Sequence, residues 1–167
     1  MRDASVTDPS VMDKSRELLR HAVAALAYRA TRAISDAPEE FGRLEGYGRP
    51  PVKILAHMGD LFDWALGMCD GQHRWHDSAP LAWDAEVARF FAALEAFDKR
   101  LGSGEPLGFP AEKLFQGPIA DALTHVGQIA MLRRLAGCKM RGENYVAAKI
   151  ETGRVGAEQA AAAIEFD

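Results

Sequence analysis

Residues 121–137 read DALTHVGQIAMLRRLAG, and the fold is decided here. Ala122, Val126, Ile129 and Leu132 recur at steps of three and four, the spacing of one face of an α-helix. Leu114, Phe115 and Ile119 carry the same stripe upstream, so a helical region is predicted over 111–136. Gly117-Pro118 interrupts it. Proline has no N–H and suits a first helical turn, so the main helix is expected to begin near Pro118. Gly137 is a fitting end, because helices commonly close on a left-handed residue. Arg133 and Arg134 match the negative end of the helix dipole.

Working outward, three more segments show the same periodicity. The first runs from residue 13 or 15 to 34, with Leu19, Ala22, Val23, Leu26, Ala30 and Ala33 on one face. Its arginines fall mostly on the other face and read as solvated. The second covers 52–69, with Ile54, His57, Met58, Leu61, Trp64, Ala65 and Met68; Pro51 stands at its first turn. The third covers 81–101, with Trp83, Val87, Phe90, Phe91, Leu94, Phe97 and Leu101. Residues 35–51 hold three glycines and three prolines and form a long connection, of the kind that often covers a site. Residues 1–12 read as a loose N-terminal arm. Residues 138–167 are a mixed tail, with a short helix or turn expected at 144–150 and again at 157–164. Each helix has one apolar face, and four such faces close around one core. The expected fold class is therefore all-α, a four-helix bundle forming a single domain over 1–167.

The 167-residue length suits one domain, which at this size buries roughly 70% of its unfolded surface. The net charge of -4 argues against a nucleic-acid surface, though it leaves room for a small basic patch. Cys69 and Cys138 are no disulfide framework and read as two reduced thiols. No apolar run reaches the ~18 residues of a membrane span, and residues 1–10 lack the apolar region of a secretory signal. A cytoplasmic protein is expected, with no membrane partner.

Two histidines break the logic of their helices. His57 lies within the second stripe, and His125 at the edge of the fourth. A buried imidazole needs a hydrogen-bond partner or a metal. Asp121 stands four residues before His125, on the same helix face. Two imidazoles and a carboxylate are the ligand set of catalytic zinc and non-haem iron sites. The same residues also fit a plain Asp–His hydrogen bond beside a structural core histidine. His73 and His76 lie in a loop beside Trp75, where a second metal site competes with simple solvation; His21 falls opposite its stripe. There is no nucleophile elbow, phosphate loop or dinucleotide fingerprint.

Residues 121–137 resemble the last bundle helix of the DinB/YfiT-like superfamily, which typically reads His-x-x-x-His-Arg-Gly-Gln-Ile followed by Leu-Arg. The match falls on His125, Gly127, Gln128, Ile129, Leu132 and Arg133. Residues 54–64, ILAHMGDLFDW, look like the family's second helix, with His57 in the place of its first metal-binding histidine. The resemblance implies a divalent metal ion, commonly zinc or nickel, held by His57, Asp121 and His125. Asp121 stands where a histidine is commoner; relatives similar to mycothiol-dependent maleylpyruvate isomerases place a glutamate there. It further implies a metal-dependent enzyme, a thiol-dependent transferase or isomerase or a hydrolase. A low-molecular-weight thiol is then a candidate cofactor, the substrate is an unknown small molecule and the chain is a homodimer. The alternative is a non-catalytic helical bundle acting through dimerisation or partner binding.

Overall fold

The computed structural model describes residues 9–138 and 140–166, with side chains from Lys14 onward. Most of it is helical. Helix α1 spans Pro9–Ile34, α2 Pro51–Cys69 and α3 Trp83–Gly102. A short α4, Ala111–Leu114, runs through a π-helical turn, Phe115–Ile119, into α5, Ala120–Leu135. Two-residue strands β1 (Gly142–Glu143) and β2 (Glu165–Phe166) pair antiparallel.

Helix α2 packs on α3 and α5, and α1 packs on the same two, so the four long helices surround one core. Fully buried Leu26, Leu55, Phe62, Phe90, Phe97 and Ile129 fill it. The 35–51 connection enters this core. Its 3-10 turn, Glu39–Arg43, sets the Phe41 ring edge-on to Trp83, with ring centroids 5.4 Å apart. Gly42 makes that possible: a Cβ there would stand 3.2 Å from the Trp83 side chain.

Several expectations need correction. Of the loose arm over 1–12, residues 1–8 lie outside the described residues, while from Pro9 the chain is already helical. The interruption at Gly117-Pro118 is a π turn, not a fresh start. The missing Pro118 N–H is absorbed by widening the helix, and Leu114 and Ile119 are buried five residues apart. That phase change turns Phe115 outward, 47% exposed, although it lay on the predicted stripe. The short helix or turn expected at 144–150 is a turn, whereas 157–164 form no helix.

The arginines are not a solvated face. Arg16 is buried and donates to the Leu101 and Glu105 carbonyls. Arg20 grips Asp98 with two bonds of 2.9 Å. Arg133 does more than balance a dipole. It is buried and donates to the carbonyls of Ala33 (3.2 Å), Ser35 (2.7 Å) and Cys138 (3.1 Å), tying the end of α1 to the end of α5. A planar guanidinium can satisfy several end-of-helix carbonyls at once.

Candidate metal centre

His57 stands mid-way along α2, and Asp121 and His125 stand in the first two turns of α5. Because α2 and α5 pack against each other, the pair on one helix meets the imidazole of the other. His57 Nε2 lies 3.5 Å from Asp121 Oδ2, and His125 Nε2 lies 3.5 Å from Asp121 Oδ1. The two imidazole rings are 4.9 Å apart and nearly perpendicular, at 88°. One ligand atom from each of the three residues lies within 4.8 Å of the others. All three predicted residues are thus brought together.

Two details bear on what the cluster can hold. Direct N–H···O bonds run at about 2.7–3.2 Å, so 3.5 Å is long for bonding between these side chains. Zn–N and Zn–O bonds of about 2.0–2.2 Å in tetrahedral array put neighbouring ligand atoms about 3.4 Å apart, close to the spacing found. The His57 side chain makes no hydrogen bond among the described residues. The other detail is Gln128, one turn beyond His125. Its Oε1 accepts from His125 Nδ1 at 2.8 Å. With the proton on Nδ1, the Nε2 lone pair faces Asp121 and is free to coordinate, the usual outer-sphere arrangement of metal-binding histidines.

The site is neither sealed nor fully open. The His125 and His57 side chains are 13% and 23% exposed, and Asp121 is 46% exposed. Trp75, from the loop after α2, stands edge-on to His57 at 5.3 Å and to Trp64 at 5.9 Å. An open depression beside Asp121 is lined by Trp64, Gln116, Gly117 and Thr124. The π turn widens the helix just before Asp121, and such turns are frequent at functional sites.

A second cluster, Asp60, Asp63 and His76, begins one turn further along α2. Here a cation is already built in. The Arg89 guanidinium donates to Asp60 and lies 3.2 Å from both Asp63 and Glu86. Gly59 leaves room for it: a Cβ there would stand 2.7 Å from Arg89 Nη1. Burial alone would push the Asp60 carboxyl up. Hydrogen bonds from Ser78 and the Arg89 guanidinium outweigh that and hold it below its ordinary value. His73 and His76 are not brought together. His73 meets Trp64 edge-on and lies tilted against Phe109, while His76 faces Asp60 and Asp63. Both cysteines are free, and burial pushes the Cys69 thiol up to about 11, so it is a poor nucleophile.

Sequence reasoning missed Arg89, whose role depends on α3 lying across α2. It also assigned no role to Gln128; the three-residue step from His125 puts the two on one face but does not say that the amide turns toward the ring.

Fold and site together define a mostly helical protein with a His–Asp–His cluster between two facing helices. No family model matches the chain, and no curated protein or solved structure matches it. Among the described residues, no helix is long and apolar enough to cross a membrane.

Proposed function

We propose that this protein is a metal-dependent enzyme of DinB/YfiT-like type, a four-helix bundle in which His57, Asp121 and His125 hold a divalent ion, zinc or nickel. The observation that carries the reading is the spacing of the three residues. Each imidazole Nε2 stands 3.5 Å from its own Asp121 oxygen, long for a direct bond, and one ligand atom from each of the three lies within 4.8 Å of the others, which leaves room for an ion among them. A divalent ion held there would lower the pKa of a thiol or water and so supply a nucleophile at neutral pH.

The chain's own residues then have distinct tasks. Asp121 offers a different oxygen to each imidazole, so it serves both helices at once. Gln128 keeps the His125 proton on Nδ1. Trp75 and Trp64 make an aromatic wall on one side of His57. The reaction is a thiol-dependent transfer or isomerisation, or a hydrolysis, on a small-molecule substrate.

A second reading has its own observation. The cluster around Arg89 demonstrates that this chain gathers carboxylates and an imidazole for structural reasons. On that reading Asp121 only orients the imidazoles, and the protein acts through dimerisation or partner binding. Metal analysis separates the two. Untagged protein loaded with zinc or nickel is expected to retain about one equivalent, and His57→Ala and His125→Ala are expected to lose it with helicity intact. Protein that holds no ion after loading, with His57→Leu as stable as the parent, establishes the structural reading instead.

A further inference from the structure

A cleft of about 240 Å³ opens on the other side of His57, between the start of α2 and the loop that follows α2. Arg49, Lys53, His57, Asp77, Ser78 and Pro80 line it. Lys53 stands one turn before His57 on the same helix face. Arg49 is presented by a bend in which Gly48 takes a left-handed φ of 92°, and Pro50 and Pro51 follow it directly. Proline fixes φ, so the backbone carrying Arg49 is held stiffly against the first turn of α2.

Arg16, Arg20, Arg32, Arg89 and Arg100 all bond to acidic side chains or carbonyls. Among the described residues, neither Arg49 nor Lys53 has an ion pair or a side-chain hydrogen bond. The acidic groups of the cleft do not answer them. Asp60 is taken by Arg89 and the Ser78 N–H, and Asp77 accepts from Trp75 Nε1 at 3.2 Å. Two free cations thus share a concave wall with His57 in a chain whose net charge is -4. Such pairs recognise carboxylate or phosphate oxygens.

We infer that this cleft is an anion subsite, which binds the carboxylate or phosphate group of the substrate while its reacting end lies at the His57 centre. The assignment of the bound anion to a substrate rests on the metal-enzyme reading above. The cleft itself stands on Arg49 and Lys53. The substrate class is therefore a small organic acid or a phosphate ester.

The test is an amide NMR titration of full-length protein, metal-free and zinc-loaded. Inorganic phosphate and acetate are the two probes, with ionic strength held constant by chloride. Saturable shifts at Arg49, Lys53, His57 and Ser78 are expected with at least one probe, and the better probe names the anion class. The Arg49→Gln/Lys53→Gln double variant is expected to bind it at least 10-fold more weakly with an unchanged spectrum elsewhere. Absence of saturable shifts with both probes, or undiminished binding in the double variant, overturns the inference whatever the zinc content. Saturable binding in a protein that takes up no zinc leaves the subsite standing and removes the metal-enzyme reading.

Discussion

At the scale of single residues, Gln128 is the sharpest case. It touches no other member of the cluster, yet its Oε1 decides which nitrogen of His125 carries the proton. In Gln128→Ala that bond is lost, and the imidazole is free to rotate or to change tautomer. Outer-sphere partners of this kind are worth about 10–100-fold in metal affinity. On the proposed metal reading, competition with a chromophoric chelator should therefore find zinc bound about 10-fold or more weakly, with the melting temperature of metal-free protein nearly unchanged. Unchanged affinity would show that Asp121 alone orients His125. The site residues themselves were legible because imidazoles and a carboxylate interrupt apolar stripes, and an interruption is visible in one dimension. What Gln128 does required knowing that its amide turns toward the ring. Arg49 and Lys53 look like ordinary surface cations in the sequence, and only the loop folded over α2 turns their surroundings into a cleft.

At the scale of elements, α2, α3 and the 72–82 loop are joined by Arg89. The guanidinium crosses from α3 over Gly59 and meets Asp60, whose side chain is only 3% exposed, while Ser78 donates to that same carboxylate. This network sets the loop that carries Trp75, Asp77 and Ser78, and so it positions both walls beside His57. Asp60→Asn should cost about 2 kcal/mol at neutral pH, the worth of a charge-assisted bond, because Asp63 and Glu86 still face Arg89. The pH dependence has a definite sign. The folded-state pKa of Asp60 is depressed, so its stabilisation is complete above the unfolded value of about 3.9 and disappears as pH falls through the folded value. Denaturant melts from pH 7 to pH 2 should show parent and variant differing at neutral pH and converging below about pH 4. A constant gap across that range would mean that Asp60 acts through packing alone. Helices α1, α2 and α3 were legible because each carries a long stripe of period 3.6. The π turn was not: the five-residue step from Leu114 to Ile119 looks like an ordinary break in the stripe, and the proline marks only where the break falls.

At the scale of the whole molecule, the tail is the part that composition hid most completely. Its alanine-rich end, residues 160–163, resembles a helix by propensity and folds instead as a non-helical strap. Tertiary bonds override that propensity. Arg32 donates to the Ala160 carbonyl at 2.7 Å and pairs with Glu143 at 3.2 Å, while Glu143 also accepts from the Tyr28 hydroxyl. Arg29 lies 3.9 Å from the Tyr145 ring centroid, and Val155 is buried. Arginines of α1, read in sequence as solvated, are among the groups the strap is fastened to. The Glu143 carboxylate is buried between two partners, so Glu143→Ala leaves Arg32 and Tyr28 without their acceptor in a poorly solvated place. The strap then has few apolar contacts of its own to hold it. Hydrogen exchange should show tail amides around 142–160 exchanging at least 10-fold faster in this variant, while amides in the middle of α2 and α3 keep their protection, the signature of local rather than global opening. If α2 and α3 lose protection in step with the tail, the strap and the helices open as one cooperative unit, and the tail belongs to the core energetically as well as by position.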